Sequence, residues 1–134
     1  MDTVILVVSG ESEVRDLLTG IFSSRGFRVC VVTDGISALF QIGLSQPDLV
    51  ILDIGRPDRD TWQTLRRLRA LSSVPIVVLG GADEATGINA LYQGADYFVP
   101  RPINTRELDA RVLALLRRSR GEVLQPAKRP AEWA

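Results

Sequence analysis

The sequence predicts an α/β fold, a doubly wound parallel sheet of five strands with five helices on its two faces. Five short apolar runs alternate along the chain with five segments in which apolar residues recur at helical spacing. The runs are apolar with little interruption, which is typical of strands buried on both faces, as in a parallel sheet. The chain has 134 residues, 46% of them hydrophobic, which predicts one domain with a substantial core.

The predicted strands and helices follow one another at short, regular intervals. The predicted strands are residues 3–8, 27–32, 49–52, 76–79 and 97–99. The predicted helices run from 12 to about 25, from 33 or 34 to about 45, from about 61 to 71, from 84 to 93 and from 104 to about 118. Because strands that alternate with helices pair in parallel, each helix is expected to cover one face of the sheet.

Polar residues ahead of the apolar stripes predict where helices begin. Ser12 is the predicted N-cap of the first helix, and Thr33 or Asp34 is that of the second. Asn104 and Glu107 have the spacing of a capping box at the start of the last helix. In open α/β sheets the functional crevice lies beyond the carboxyl ends of the strands. The loops at that edge are residues 9–11, 53–60, 80–83 and 100–103.

The composition excludes several classes of chemistry. The chain has no histidine and one cysteine, Cys30, so an internal disulfide and the usual zinc, haem and hydrolase sites each lack an essential residue. The longest apolar run near the N-terminus, residues 4–8, is too short for a signal peptide or a membrane span. We therefore expect a cytoplasmic protein with no membrane partner.

Charge is unevenly distributed along the chain. The 16 basic and 16 acidic residues cancel, so no net field draws the protein to nucleic acid. Residues 1–100 carry 8 basic and 12 acidic groups, a net charge of −4, and residues 101–134 carry 8 and 4, a net charge of +4. Residues 121–134 have two prolines and no apolar period. We predict one domain over residues 1–120, followed by a linker or flexible tail.

Four motifs near the predicted strands resemble those of one family. They are Pro-Asp-Leu-Val-Ile-Leu-Asp-Ile at 47–54 with Pro57, Val-Pro-Ile-Val-Val-Leu at 74–79, Gly-Ala-Asp-Tyr at 94–97, and Arg101-Pro102. Together they resemble the receiver domain of two-component response regulators, a flavodoxin-like fold, over residues 3 to about 119. The pattern of residues 106–118 is most similar to receivers that precede a winged-helix DNA-binding domain of the OmpR type.

The resemblance implies that Asp53 stands at the phosphoacceptor position. In the family a sensor kinase supplies the phosphoryl group, and an acidic pair after the first strand helps to hold Mg²⁺. This sequence has Ser9 and Gly10 there, and Glu11 follows one residue later. We therefore expect no metal and no other cofactor.

Three further positions depart from the family pattern. The hydroxyl residue after the fourth strand is replaced by Gly80, and the lysine before the fifth-strand proline is replaced by Arg101. The aromatic residue three positions earlier is Phe98, which lacks a tyrosine hydroxyl. The resemblance also implies a cis peptide bond between Arg101 and Pro102.

These departures give the hypothesis of a degenerate pocket in which Asp53 is silent, held by Arg101 in a permanent ion pair. One alternative is a normally phosphorylated Asp53. Another is a small-anion site formed by Arg56, Arg59 and Arg101.

A second functional surface is predicted on the fourth helix, the fifth strand and the last helix. In the resembling family this face carries the output, usually through a two-fold dimer. We expect a homodimer here, formed without phosphorylation, with an apolar centre and a charged rim. The predicted residues are Ile88, Leu91 and Tyr92 at the centre and Asp96, Arg106, Arg111 and Arg118 around it.

The sequence thus indicates an atypical receiver domain that is not an enzyme. The leading hypothesis is the regulatory part of a transcription regulator, which would contact DNA only through a further domain and would respond to a sensor kinase or another protein. The alternative is a stand-alone adaptor that binds a protein partner, and a winged helix encoded after residue 120 would decide against it. A small flavin or nucleotide protein is disfavoured because no glycine-rich phosphate loop follows the first strand.

Overall fold

The five apolar runs form one parallel sheet in the computed structural model, which describes residues 2–119. The strands are β1 (Val4–Val8), β2 (Arg28–Val32), β3 (Leu49–Asp53), β4 (Ile76–Gly80) and β5 (Tyr97–Pro100). The helices are α1 (Ser12–Ser23), α2 (Gly35–Leu44), α3 (Arg59–Leu71), α4 (Glu84–Gln93) and α5 (Thr105–Ser119). Across the sheet the strands lie in the order β2-β1-β3-β4-β5, and all pairs are parallel.

Side chains alternate along each strand, so they divide the core into two layers. Ile5, Val7 and Ile51 face the layer that α1 and α5 complete. Leu6 and Val50 face the opposite layer, which is completed by α2, α3 and α4. The predicted fold class is therefore confirmed, with two helices on one face of the sheet and three on the other.

Two aspartates that precede strands tie neighbouring strands together. The Asp48 carboxylate accepts a hydrogen bond from the backbone N–H of Val4 at 2.8 Å, and Asp96 accepts one from the N–H of Ile76 at 2.7 Å. Each carboxylate thus satisfies a backbone donor at the start of the adjacent strand. These aspartates of the Pro-Asp and Ala-Asp motifs have a structural role.

Most predicted element boundaries differ from the structure by no more than two residues. α3 begins at Arg59 rather than near Thr61, because Asp58 accepts from the N–H of Thr61 while the Thr61 hydroxyl accepts from the N–H of Asp58. β2 begins at Arg28 rather than at residue 27, whereas β4 and β5 each extend one residue further than predicted.

The predicted caps are correct in part. Ser12 is not the N-cap of α1, which is Glu11, and the Glu11 side chain makes no capping hydrogen bond. Asp34, which is one of the two predicted alternatives, is the N-cap of α2. Asn104 accepts from the N–H of Glu107 at 3.0 Å, but the capping box is incomplete because Glu107 instead accepts from the Tyr97 hydroxyl.

The predicted tail, residues 121–134, lies outside the described residues. Within residues 2–119, none of the helices has the length and apolar character needed to cross a bilayer.

Acid should unfold this domain partly through the aspartates that cap helices. Hydrogen bonds from Ser37, Thr61 and Thr86 lower the pKa of Asp34, Asp58 and Asp83 below the ordinary value of 3.8. The unfolded chain therefore binds protons first, so this stabilisation is present above the ordinary pKa and is lost as the pH falls through the lowered values.

We expect urea unfolding between pH 5 and pH 3 (roughly the window set by ordinary carboxyl pKa values) to show a falling midpoint. The triple variant Asp34→Asn, Asp58→Asn, Asp83→Asn keeps the cap acceptors without the titration. Its midpoint should fall less steeply than that of the wild type, and equal slopes would contradict the assignment.

Candidate functional site

The carboxyl ends of four strands bring the predicted pocket residues together. Asp53 is the last residue of β3 and Gly80 the last of β4, while Ser9 directly follows β1 and Arg101 directly follows β5. Because β1, β3, β4 and β5 are consecutive neighbours in the sheet, these residues share one edge. The Asp53 side chain is buried there, with 3% of its surface exposed.

Both oxygens of the Asp53 carboxylate accept hydrogen bonds. Oδ1 accepts from Arg101 Nη2 at 2.7 Å and from the backbone N–H of Gly55 at 3.2 Å. Oδ2 accepts from the Ser9 hydroxyl at 2.7 Å. The predicted contact between Arg101 and Asp53 is therefore present, and a serine hydroxyl that the sequence analysis did not assign to Asp53 adds to it.

Ser9 is itself fixed by its surroundings. The residue is 1% exposed, and its hydroxyl oxygen accepts from the backbone N–H of Glu11 at 3.1 Å. The carbonyl of Ser9 accepts from Arg15 Nη1 at 2.9 Å. Ser9 can therefore donate its single proton to Asp53 without changing rotamer.

The guanidinium of Arg101 lies between two carboxylates. Besides the bond to Asp53, Arg101 Nη2 is 3.6 Å from Glu11 Oε1. The Glu11 side chain is 58% exposed, compared with 30% for that of Arg101. Glu11 thus reaches the pocket mouth, where its contact is with the guanidinium.

The remaining predicted pocket features are also placed. The peptide bond between Arg101 and Pro102 is cis. Arg56 and Arg59 are exposed, and neither makes an ion pair within residues 2–119. Of the three arginines in the small-anion alternative, Arg101 is bound to Asp53 whereas Arg56 and Arg59 are not, so the three share no partner among the described residues.

The Phe98 ring occupies the space beside Gly80. A Cβ added at Gly80 would lie 2.9 Å from Phe98 Cε1 and 2.8 Å from Ile54 Cγ1. A Cβ added at Gly87 would lie 2.7 Å from Phe98 Cδ2. Two glycines, one on β4 and one on α4, therefore leave the room that the ring fills.

Gly87 and Ile54 were missed by the sequence reasoning. A glycine inside a helix costs about 1 kcal/mol relative to alanine, so Gly87 within α4 was a usable signal for close packing. No sequence signal places Ile54 against Gly80, because that contact depends on how the β3 loop returns over the end of β4.

The predicted output face presents apolar side chains to solvent. Ile88 and Leu91 are about half exposed, and Tyr92 is 84% exposed. A shallow groove beside them is lined by Gly87, Phe98 and Pro100, among others. The Phe98 ring that lies beside Gly80 thus also lines this groove.

Two of the predicted charged residues on this face have partners in their own chain. Asp96 binds Arg69 Nη2 at 2.5 Å, and the Arg111 guanidinium lies 4.6 Å from the centre of the Tyr97 ring. Burial, followed by the hydrogen bond to Glu107, raises the pKa of Tyr97. Both side chains thus have a partner within the chain, and their place at a dimer interface stays a prediction.

Arg106 and Arg118 are exposed and form no ion pair among the described residues. They remain available as rim charges. Arg120, next along the basic end, lies outside the described residues.

The family model for the response regulator receiver domain matches residues 5–113. The chain belongs to this family. Among solved structures it is similar to the receiver domain of the TMAO respiratory system response regulator TorR, with a TM-score of 0.80, 33% identity, and coverage of 87% of this chain and 98% of that one. It is also similar to the BeF3-activated receiver domain of Klebsiella pneumoniae RstA, with a TM-score of 0.78, 31% identity, and coverage of 86% and 99%.

Curated relatives are longer regulators. The sensory transduction protein RegX3 of Mycobacterium tuberculosis is 38% identical over 117 residues, covering 87% of this chain and 52% of that protein. The DNA-binding response regulator MtrA of Mycolicibacterium smegmatis is 40% identical over 126 residues, covering 91% and 55%. The chain thus spans about half the length of these relatives.

Removing Arg101 should destabilise the domain because it leaves the Asp53 carboxylate buried without its cation. We expect Arg101→Ala to cost about 2 kcal/mol in urea unfolding, less than for a fully buried pair because the guanidinium is partly solvated. Arg101→Lys keeps the charge and should cost less. Adding Asp53→Asn to Arg101→Ala should recover part of the loss, and no recovery would contradict the pairing as its cause.

A side chain at Gly80 should destabilise the domain through the Phe98 ring. We expect Gly80→Ala to cost about 1 to 2 kcal/mol, because a well-packed site must shift to admit the methyl group. The control is Gly20→Ala on the exposed side of α1, where an added Cβ meets nothing within 4 Å. Phe98→Leu should reduce the cost of Gly80→Ala, and equal costs in both backgrounds would refute the contact.

Proposed function

We propose that this chain is the regulatory receiver module of a transcription regulator, and that its output does not depend on a phosphoryl group at Asp53. The observation that carries the proposal is the state of the Asp53 carboxylate. The side chain is buried and accepts from Arg101, Ser9 and Gly55, so both of its oxygens are already bound. Signal then enters by some other contact with the domain.

These contacts disfavour Asp53 as a nucleophile. Each carboxylate oxygen already accepts a short hydrogen bond, Oδ1 from Arg101 and Oδ2 from Ser9, both at 2.7 Å, and these bonds make the oxygen a weaker nucleophile. Hydrogen bonds to a charged group contribute about 1.5 to 3 kcal/mol. Donors that stabilise the free carboxylate thus add to the barrier unless they move to the transferring group.

The oxygen ligands around Asp53 do not fit Mg²⁺. This ion takes six oxygen ligands in near-octahedral geometry and is held by carboxylates. The carboxylates near the pocket mouth are those of Asp53 and Glu11, and the Arg101 guanidinium lies 2.7 and 3.6 Å from them. Within residues 2–119, no group of three acidic, cysteine or histidine side chains could hold a metal. We propose that the module works without this cofactor.

Gly80 removes a contact that would report a phosphoryl group to the output face. No hydroxyl is present there, and the Phe98 ring and Ile54 fill the space that a side chain would need. The ring is therefore held by packing beside Gly80, where it also lines the groove beside α4. We propose that this fixed arrangement holds the output face in one state.

The proposed output is a homodimer through the face formed by α4, β5 and α5. Exposed Ile88, Leu91 and Tyr92 supply the apolar centre. Arg106 and Arg118 are the rim cations, and the exposed carboxylates of α4 at Asp83 and Glu84 are their proposed partners in a second copy. Such rim pairs affect orientation and association rate more than affinity.

The similarity to MtrA, a DNA-binding response regulator, supports the assignment to transcription regulation. Contact with DNA would then belong to a further domain, and the receiver itself would act by binding rather than by catalysis. A sensor kinase or another protein is the proposed source of the signal. The cytoplasmic location expected from the sequence stays a prediction, as does the alternative of a stand-alone adaptor.

Millimolar Mg²⁺ should leave the melting temperature unchanged, because a ligand that does not bind the folded state cannot stabilise it. Gly10→Asp is the comparison variant, since an added Cβ at Gly10 meets only the Thr33 carbonyl oxygen at 3.8 Å. This variant should respond to Mg²⁺ more than the wild type. A saturable shift in the wild type, lost in Asp53→Asn, would contradict the proposal.

Sedimentation at tens of micromolar and low salt should show a self-associating protein whose weight-average mass is unchanged by a phosphodonor. Leu91→Asp should weaken association about tenfold or more, as expected for a charge at an apolar interface centre. Arg106→Glu should weaken it less and reduce its salt dependence. Association that is indifferent to Leu91→Asp, or that requires the phosphodonor, would count against the proposed output.

A further inference from the structure

An apolar stripe on α2 faces solvent on the side of the molecule away from α4. Ile36, Phe40 and Leu44 are 72%, 70% and 76% exposed. They are spaced four residues apart, so they lie along one face of the helix. The buried residues of α2, Ala38 and Ile42, point into the core. The stripe is therefore surplus to the folding of the domain.

We infer that this stripe, which is distinct from the α4, β5 and α5 face, binds α2 of a second copy of the chain in an antiparallel, two-fold pair. The first argument is the symmetry of the stripe about Phe40. In an antiparallel pair centred on Phe40, facing residues have numbers that add to 80. Phe40 then meets Phe40 of the other copy, and Ile36 meets Leu44 twice, as a two-fold interface requires.

The residues beside the stripe are small enough for the two α2 helices to approach closely. Ser37 and Gly43 are small, and the same symmetry places one opposite the other. A Cβ added at Gly43 would meet nothing within 4 Å, so the backbone there is open to a neighbouring helix. Helix axes in contact lie about 8 to 10 Å apart, and small residues favour the lower end.

Charge favours a second copy over an unrelated acidic or basic partner. The ten residues of α2 include no charged side chain, so pairing the helix with itself opposes no like charges. At one end of the stripe Arg28 lines a groove with Leu44. At the other end Asp34 is the exposed N-cap ahead of Ile36. The antiparallel arrangement brings Arg28 of each copy towards Asp34 of the other.

The charges at the two ends are available for this contact. Arg28 is exposed and makes no ion pair within the described residues. Asp34 accepts hydrogen bonds from Ser37 and Thr33, which lower its pKa and keep it ionised near neutral pH. Two symmetry-related pairs of opposite charge would thus fix the antiparallel orientation.

The area of the stripe predicts a weak dimer. Three large side chains that are about three-quarters exposed offer on the order of 400 Å² of apolar surface per copy, about half of a standard interface. Such an interface is populated at high local concentration. Because α2 packs against β1 and α3 while α4 packs against β5 and β4, the stripe and the α4 face lie on different helices, and we expect that both can be occupied at once.

Sedimentation of the Leu91→Asp variant, in which the proposed α4 face is disabled, tests this inference separately. We expect this variant to remain a reversible dimer at roughly 100 μM or above. Adding Phe40→Lys should weaken dimerisation about tenfold or more. The matched control, Leu71→Lys, makes the same change at a side chain that is 63% exposed at the end of α3 and should have no effect.

Charge reversal tests the antiparallel orientation. In the same Leu91→Asp background, Arg28→Glu should weaken the dimer at low salt, while Arg66→Glu on α3 should not. Circular dichroism and urea unfolding of each variant establish that it is folded. A protein that is monomeric with Leu91→Asp alone, or a dimer indifferent to Phe40→Lys, would overturn the inference and leave the proposed α4 face standing. If the wild-type dimer is indifferent to Leu91→Asp but is dissociated by Phe40→Lys, the α2 inference stands and the proposed α4 face is overturned.

Discussion

The ion pair between Arg101 and Asp53 links the end of β3 to the residue that follows β5. The arrangement of the other pocket residues depends on this pair. Asp53 ends a central strand of the sheet, and the parallel order of strands places Arg101 within reach of it. A carboxylate that is 3% exposed would be costly to bury alone. The guanidinium, the Ser9 hydroxyl and the Gly55 N–H together satisfy it.

The pair also limits what the pocket can bind. A cation at the mouth would have to share Asp53 and Glu11 with a guanidinium already in contact with both. An anion would meet an Arg101 whose Nη2 is already bound to Asp53. At the neighbouring strand end, Gly80 and Gly87 leave the room that the Phe98 ring fills, and this ring lines the groove beside α4. The packing at the end of β4 therefore shapes the groove beside α4.

Much of the fold was predictable because it depends on patterns that act locally. The uninterrupted apolar strands and the helical spacing between them were sufficient for the element order, and the Asp34 and Asn104 caps followed from single residues. The contact of Arg101 with Asp53 was predictable only through the family resemblance, since 48 residues separate them. Parallel strands bring such residues together, and periodicity alone does not say which.

The sequence was a poor guide where a side chain can choose between several hydrogen-bond or ion-pair partners. The Ser12 cap was wrong because the chain turns into α1 one residue earlier, and Glu107 left its capping box because the Tyr97 hydroxyl lies within 2.8 Å. The sequence did not predict that Asp96 pairs with Arg69, because α3 supplies that partner from 27 residues away. The buried side of α2 was predictable from the spacing of Ala38 and Ile42, but only the structure shows how far Ile36, Phe40 and Leu44 are exposed on the other side.

Intact mass after incubation with a small-molecule phosphodonor and Mg²⁺ tests most directly the proposal that Asp53 is silent. The RstA receiver, whose structure is described as BeF3-activated, is the parallel control for reagent and conditions. Samples quenched in acid over a time course should show the control gaining one phosphoryl group while this protein keeps its unmodified mass. A gain of one phosphoryl group by this protein, abolished by Asp53→Asn, would contradict the account.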